Sequence, residues 1–300
     1  MLSGILNVYK EKGYTSHDVV AKLRGIVGQK KIGHTGTLDP EAEGVLPVCL
    51  GKATKVCSLL TEKDKVYEAV LLLGQITDTQ DATGAVLETY PVVCSEEEVK
   101  QTILEFVGEY EQLPPMYSAL KVGGKKLCDL ARNGIEVERK PRQVHIYEIE
   151  IESIELPHVK MRVHCSKGTY IRTLCHDIGE KLGCGGCMES LKRTRVADFS
   201  LEQALTLDEI EKKRDAGELE EILYPTDYVF QTLEAGTVQK KYGKVLYNGN
   251  RIAKEFFVKP PSADKQESIR IYDEAGQFIG IYRYDERQKN YKPVKIFWEQ

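Results

Sequence analysis

A short run of small and turn-forming residues holds two side chains that are suited to chemistry. His34 and Asp39 lie in the sequence Gly-His-Thr-Gly-Thr-Leu-Asp-Pro, which begins at Gly33. Between residues 33 and 55, four glycines and two prolines surround them, a composition typical of a tightly turned loop that approaches a ligand closely. The imidazole and the carboxylate are therefore candidate functional groups. An aspartate before a proline is also a common turn or helix cap, so residue type alone favours a structural Asp39.

The residues around this run exclude several common kinds of site. A phosphate-binding loop that ends in Gly51-Lys52 would require glycine at position 46 and serine or threonine at position 53, where the chain has Leu46 and Ala53. No Gly-x-Gly-x-x-Gly turn joins a predicted strand to a helix, so a dinucleotide site is not indicated. Cys184 and Cys187 have ligand spacing, but no second pair follows to complete a zinc site. We predict no metal and no cofactor.

The overall composition is that of an ordinary globular protein. The 300 residues include 42 Lys+Arg and 46 Asp+Glu, with 41% hydrophobic residues, which excludes wholesale disorder, a fibrous repeat and a membrane-embedded chain. The amino terminus lacks the basic and apolar regions of a secretory signal, and no stretch approaches the ~18 apolar residues of a spanning helix. We expect a cytoplasmic protein that does not contact a membrane.

Positive charge is concentrated in two segments despite the acidic total. Residues 121–142 contain seven basic and three acidic side chains, and residues 160–195 contain eight basic and three acidic ones. A charge run is usually only a solvated face. Two such segments on either side of a possible active site favour a polyanionic partner.

The elements that must position these residues are indicated by periodicity and caps. Ser16 is the predicted N-cap of a helix that ends at Gly28, and Ser95 with Glu98 forms a capping box before another helix. An apolar run over residues 66–73 predicts a strand.

The candidate site draws on a second group of elements. Alternating apolar residues over 147–152 and 159–165 predict two neighbouring, half-buried strands. A helix over residues 171–182 follows, so Tyr170 and Arg172 are expected at its first turn, just beyond a strand end.

The carboxyl-terminal part has a different pattern. Short strands are predicted around residues 269–271, 278–284 and 294–298, which indicates a small β-barrel of its own. We predict a first domain over residues 1–230 and a second over residues 235–300.

The run over residues 33–55 resembles the catalytic motif of the TruB family, the bacterial tRNA pseudouridine synthases that act on uridine 55 of the T loop. Further matching segments follow in the family's order: Tyr67 with 73–74 and 77–84, then 114–121 with 124–127, and then 165–173. The resemblance spans most of residues 1–200. It implies an α+β catalytic domain with a central mixed, largely antiparallel sheet, together with a small PUA-like β-barrel at the carboxyl terminus.

The resemblance also implies a chemistry. A family member breaks the N1–C1′ bond of a uridine in RNA, turns the detached uracil and rejoins it through C5, without a cofactor. By motif position Asp39 is the carboxylate that meets the positive charge developing at C1′. Arg172 is the arginine that pairs with it, and Tyr67 is the tyrosine that stacks on the base and could take up a proton.

The remaining candidates follow from the same resemblance. Tyr170 and Leu191 would line the pocket, although core packing explains Leu191 equally well. His34 would occupy the space left by the extruded base, and Lys10 would support the loop and the substrate site.

The implied partner is the T-stem loop of tRNA, bound by a monomer without an obligate protein partner. Two alternatives remain open: a catalytic subunit that depends on guide RNA and partner proteins, and a non-catalytic RNA-binding or tRNA-folding module.

Overall fold

The computed structural model describes residues 1–262 and 267–298. The strands in chain order are β1 (Gly4–Lys10), β2 (Ile32–His34), β3 (Glu43–Leu50), β4 (Lys65–Leu73), β5 (Gln75–Thr77), β6 (Val86–Thr89), β7 (Gly108–Gln112), β8 (Lys121–Val122), β9 (Lys125–Lys126), β10 (Arg142–Glu155), β11 (His158–Cys165), β12 (Gly186–Val196), β13 (Phe199–Ser200), β14 (Ala235–Val238), β15 (Ile252–Ala253), β16 (Ser268–Asp273), β17 (Phe278–Asp285) and β18 (Asn290–Ile296). The α-helices are α1 (Ser16–Val27), α2 (Cys57–Thr61), α3 (Glu96–Leu104), α4 (Leu127–Arg132), α5 (Ile171–Leu182), α6 (Leu207–Asp215) and α7 (Gly243–Tyr247).

A nine-stranded mixed sheet forms the centre of the larger part. Its strand order is β1-β3-β12-β4-β11-β10-β7, with β2 paired to β3 and β13 paired to β12. The β3–β12 pair is parallel and the other pairs are antiparallel. The expected α+β architecture with a central mixed sheet is confirmed. The predicted strands over 147–152 and 159–165 are also neighbours, as β10 and β11.

The alternation in β11 explains how the sheet is covered. Its odd-numbered residues from Val159 to Cys165 are buried, whereas Lys160 and Arg162 are exposed on the other face. Helices α3 and α5 pack on the buried face, because their own apolar stripes join the same hydrophobic core. Helix α5 ends at Gly183, whose φ of 73° is the left-handed conformation that favours glycine.

The start of α1 differs by one residue from the prediction. Thr15 is the N-cap: its hydroxyl accepts a hydrogen bond from the Asp18 amide at 3.1 Å, and the Asp18 carboxylate accepts one from the Thr15 amide at 2.8 Å. Ser16 was expected in that role but is the first helical residue, and its buried hydroxyl serves a contact described below. The capping box formed by Ser95 and Glu98 in front of α3 is confirmed.

The carboxyl-terminal strands form a second, five-stranded sheet in the order β14-β16-β17-β18-β15. One side of it has its own apolar core, which includes Ile269, Ile271 and Tyr282. The other side packs against the larger part, because Phe278 and Phe297 belong to the same cluster as residues of β1 and β3. A PUA-like barrel and the division into residues 1–230 and 235–300 stay predictions. Among the described residues no helix combines the length and apolar character needed to cross a membrane.

Candidate active site

The loop between β2 and β3 holds Asp39, and three contacts fix its backbone. Thr35 is fully buried, and both its amide and its hydroxyl donate to the Pro47 carbonyl, at 3.1 and 3.0 Å. The Leu38 amide donates to the Ser16 hydroxyl at 3.0 Å. The loop is therefore tied to both β3 and α1, and its conformation is set before any ligand binds.

Lys10 lies beneath this loop at the end of β1. Its side chain is fully buried, and its ammonium donates to the Pro40 carbonyl at 3.0 Å, the Glu11 carbonyl at 3.1 Å and the Ala42 carbonyl. Burial lowers the pKa of Lys10 to about 8, although the nearby Asp39 carboxylate opposes that shift. These contacts make Lys10 a support of the loop, while its contact with a substrate stays a prediction.

Asp39 and Arg172 form a two-pronged ion pair across the site. Arg172 Nε lies 3.0 Å from Asp39 Oδ2, and Arg172 Nη2 donates to Asp39 Oδ1 at 3.2 Å. The arginine side chain is 5% exposed and the aspartate side chain 38% exposed. The guanidinium thus supports the carboxylate from the protein interior, and the carboxylate stays open toward solvent.

Three further groups hold the Arg172 guanidinium. Nη1 donates to the Thr79 carbonyl at 2.9 Å, and Nη2 donates to the Tyr117 carbonyl at 2.7 Å. Asp81 Oδ2 lies 3.7 Å from Nη1. Asp81 was not among the predicted site residues. Its segment, residues 77–84, matches a family motif, but nothing in the residue spacing indicates that Asp81 lies beside Arg172.

Five of the predicted residues line one cavity of about 360 Å³. They are Asp39, Tyr67, Tyr170, Arg172 and Leu191. This volume lies in the ~300–1,000 Å³ range of small-molecule sites. Burial raises the pKa of both tyrosines, so both are neutral hydrogen-bonding groups near pH 7.

His34 does not line this cavity in the structure. It is partly buried on β2, with Nδ1 3.1 Å from the Gly36 carbonyl and its ring 5.1 Å from the His17 ring. Burial lowers the pKa of His34, so its imidazole is neutral near pH 7.

Two cations in the cavity were not predicted as site residues. Arg193 on β12 is directly opposite Tyr67 on β4, and its Nε donates to the Val45 carbonyl at 2.7 Å. Lys65, at the start of β4, donates to the Thr61 and Lys63 carbonyls at 2.6 and 2.5 Å. In the sequence both are single members of charged runs, and only the pairing of β12 with β4 brings them to the cavity.

The two basic segments differ in the structure. The hairpin of β8 and β9 exposes Lys121, Lys125 and Lys126, which make no ion pair within the described residues, and it adjoins cavity-lining residues 118–120. The segment 160–195 is largely neutralised by acids from other strands and from loops. Its ion pairs include Lys160–Glu152, Arg162–Glu150, Lys181–Glu105, Lys192–Glu43 and Arg195–Asp64. The hairpin is therefore the better candidate for contact with a polyanion.

Comparison with known proteins places this chain in a family. Residues 24–171 match the model of the TruB family pseudouridylate synthase N-terminal domain, and residues 172–231 match that of the tRNA pseudouridylate synthase B C-terminal domain. The chain is 55% identical to a tRNA pseudouridine synthase B from Lachnoclostridium phytofermentans, over 99% of this chain and 100% of that protein. It is 45% identical to one from Alkaliphilus oremlandii, over 100% of both chains.

Solved structures resemble this chain over nearly its whole length. A Cbf5-Nop10-Gar1 complex contains a chain of 27% identity with a TM-score of 0.73, covering 98% of this chain and 85% of that one. An H/ACA RNP bound to a substrate RNA containing 2′-deoxyuridine gives 26% identity and a TM-score of 0.72, with 99% and 85% covered. The mixed sheet and the pair formed by Asp39 and Arg172 are thus found in a chain whose relatives match it over its full length. From these matches, this chain belongs to the TruB family of pseudouridylate synthases.

Proposed function

We propose that this chain converts uridine 55 in the T loop of tRNA to pseudouridine, and that Asp39 is the catalytic carboxylate. The full-length relatives named tRNA pseudouridine synthase B support the substrate and the reaction. The single observation that carries the proposed role of Asp39 is its two-pronged pairing with the buried Arg172 at the edge of the cavity.

The geometry fits the charge that the reaction develops. Breaking the N1–C1′ bond leaves positive charge on the sugar, and a carboxylate stabilises that charge by contact or by a covalent bond. Asp39 Oδ1 accepts a hydrogen bond from Arg172 Nη2, and Asp39 Oδ2 lies 3.0 Å from Arg172 Nε, so the guanidinium fixes the direction of the carboxylate. The open side of the carboxylate is then available to the sugar.

The apolar and aromatic residues of the cavity suit a pyrimidine. Tyr67, on β4, would stack on the base, and Leu191, on β12, would touch its apolar face. Tyr170 is held at the rim because its amide and carbonyl both bond to the Gln112 side chain, at 2.7 and 2.9 Å. Together, Tyr67, Leu191 and Tyr170 would select a flat ring and leave its polar edges for other groups.

The target base must leave its stack before it reaches Asp39. Extrusion costs a few kcal/mol, and it is easier when the vacated space is filled. His34 lies on the strand leading into the Asp39 loop and is neutral near pH 7, so it would fill that space by stacking.

Binding of tRNA would use surfaces outside the cavity. The exposed lysines of the β8–β9 hairpin would contact phosphates, which fixes register without reading sequence. The carboxyl-terminal sheet would act as a PUA-like domain over residues 235–300, beside a catalytic domain over 1–230. We expect a cytoplasmic monomer that needs neither a cofactor nor a partner protein. The product is an isomer of the substrate, so the reaction consumes no oxidant or reductant.

A second candidate is a subunit that works only with guide RNA and partner proteins. The similar solved chains occur in an H/ACA RNP bound to a substrate RNA and in a Cbf5-Nop10-Gar1 complex, which favours this alternative. The relatives at 43–55% identity are named for tRNA, which favours independent action.

One experiment separates the readings. The purified protein alone is mixed with an unmodified tRNA transcript, and pseudouridine is mapped by carbodiimide-primer extension. Product confined to position 55 supports the proposal, and product at another position contradicts the assigned site. No product, although the protein binds the transcript, contradicts independent catalysis and favours a guide-dependent subunit or a binding module.

A further inference from the structure

Arg193 is the least exposed charged side chain of the cavity, at 1% exposure. Its Nε donates to the Val45 carbonyl, but Nη2 is buried and makes no hydrogen bond to any group that the structure describes. A buried guanidinium nitrogen without an acceptor is costly, because it has lost its water and gained nothing in return. Such groups call for an explanation, and a ligand that supplies the acceptor is one.

The charges that line the cavity do not balance around Arg193. Asp39 is the acidic side chain of the lining, and it is engaged by Arg172, which also faces Asp81. Lys65 and Arg193 are the remaining charged residues of the lining, and both are cations. Burial, together with the positive charge of Arg193, lowers the pKa of Lys65 to about 8. This side of the cavity is therefore electropositive and ready for an anion.

Arg193 shares its position with groups that would hold the base. It is in direct register with Tyr67, and Leu191 lies two residues earlier on the same face of β12. Burial raises the pKa of Tyr67, and the charge of the Arg193 guanidinium opposes that shift. The guanidinium and the phenol therefore interact electrostatically. An occupant of the slot formed by Tyr67 and Leu191 would lie beside Arg193.

We propose that Arg193 is a further catalytic residue, whose guanidinium hydrogen-bonds and stabilises the uracil anion released when the N1–C1′ bond breaks. This inference rests on the proposed function. The bond pair leaves with the base, so the detached uracil carries one negative charge shared by N1, O2, C5 and O4, and Asp39 meets the positive charge left on the sugar. C5 then bonds to C1′, the C5 proton passes to water, and N1 takes a proton from water. No electrons are gained or lost overall.

A purely structural role predicts something different. Arg193 also helps to join β12 to β3, through the Val45 carbonyl and the close approach of its backbone to Gly44. Loss of that role would lower stability and would slow every substrate alike. Stabilisation of a leaving anion would instead depend on how basic that anion is.

The test compares two leaving groups. Variants Arg193→Met and Arg193→Lys act in single turnover on tRNA with uridine or 5-fluorouridine at the target position. Fluorine makes the departing anion less basic. Because the fluorinated C5 carries no proton, consumption of that nucleoside, followed by mass spectrometry of digested RNA, reports bond cleavage and rejoining without the final proton loss.

On uridine we expect Arg193→Met to lose about 100- to 1000-fold in rate, as when one donor to a developing anion is removed. Fluorination should shrink that loss at least about tenfold, and tRNA affinity should stay within about threefold. Arg193→Lys keeps the charge and should lose about tenfold, again less on the fluorinated substrate; it serves as the test if Arg193→Met does not fold.

The matched control is Arg195→Met, on the same strand, where the guanidinium pairs with Asp64 at 2.9 Å outside the cavity lining. It should show the wild-type response to fluorination. An equal loss by the Arg193 variants on both substrates, or no loss, would overturn the inference. Wild-type protein that makes no pseudouridine in the same assay would instead overturn the proposed function.

Discussion

The hydroxyl of Ser16, in the first turn of α1, accepts a hydrogen bond from the amide of Leu38 at 3.0 Å, one residue before Asp39. Helix α1 is thereby a direct anchor of the loop that carries the carboxylate. Ser16 is fully buried, so no water can replace this bond when the hydroxyl is absent.

We expect Ser16→Ala to slow pseudouridine formation about tenfold, because the residue before Asp39 loses its tie to α1, and to lower stability by about 1–2 kcal/mol. The control is Thr15→Ala, which removes the helix cap next to it and costs about 1 kcal/mol without freeing the loop. Single-turnover rates and urea unfolding measure both effects. If Thr15→Ala slows the reaction as much as Ser16→Ala, the anchor has no special role.

Asp39→Asn tests the carboxylate itself. The amide has nearly the same shape but no charge, while Arg172 keeps the Thr79 and Tyr117 carbonyls and Asp81. We expect the rate to fall on the order of 10⁴- to 10⁶-fold, as when one member of a catalytic triad is removed, with tRNA affinity unchanged. Filter binding and single-turnover assays measure the two quantities. Turnover within tenfold of wild type would refute the assignment of Asp39.

Lys10 predicts how stability depends on pH. Burial lowers its pKa from 10.5 to about 8 in the folded protein, so between those values the unfolded chain holds one proton more. The contribution of Lys10 to stability therefore rises with pH, by about 1.4 kcal/mol per pH unit inside the window, and is constant below pH 8. Urea unfolding of wild type and Lys10→Met from pH 7 to 10 gives this difference. A difference that is flat, or that falls with pH, contradicts the prediction.

The lysines of the β8–β9 hairpin predict the salt dependence of tRNA binding. Changing Lys121, Lys125 and Lys126 to Gln should lower the slope of log K against log salt concentration by about 2–3, since each phosphate contact adds about 0.7–0.9. The control changes three cations that pair with glutamates, namely Lys160, Arg162 and Lys181. Both triple variants alter the net charge equally. Equal slopes for the two would remove the hairpin from the tRNA interface.

Sequence patterns predicted the elements well where the signal is local. Helix α5 and its end at Gly183 follow from a helical stripe and a glycine, and Arg172 at its first turn follows with them. Strand β12 was not predicted, because Lys192 to Arg195 is a polar run without alternation between apolar and polar residues. The partners of Arg172 come from three segments that are distant from it in sequence: Asp39, Thr79 with Asp81, and Tyr117. No local pattern encodes which of these groups meet the guanidinium. The one-residue error at Ser16 has a different origin: Thr15 and Ser16 are adjacent, and both residue types are favoured as helix caps.

Gly44 predicts a strict steric limit at the junction of β3 and β12. Its φ is 107°, and a Cβ there would lie 2.2 Å from the Arg193 carbonyl oxygen. We expect Gly44→Ala to destabilise the protein by more than about 2 kcal/mol, because neither backbone can move without breaking the parallel pair. Gly25→Ala, in helix α1 with open space around it, should stabilise by about 0.5–1 kcal/mol. Thermal unfolding should show a lower melting temperature for Gly44→Ala and a higher one for Gly25→Ala than for the wild type.

The position of β12 between β3 and β4 sets the order in which the enzyme can be completed during synthesis. Asp39 follows β2, and Tyr67 lies within β4, but the strand that unites these two halves of the sheet begins only at Gly186. A nascent chain that has left the ribosome only as far as α5 has two unjoined sheet fragments and no closed pocket. Because β12 ends at Val196 of 300 residues, the pocket can close only after about two-thirds of the chain has emerged. A shorter nascent chain therefore lacks the complete active site and is unable to modify RNA.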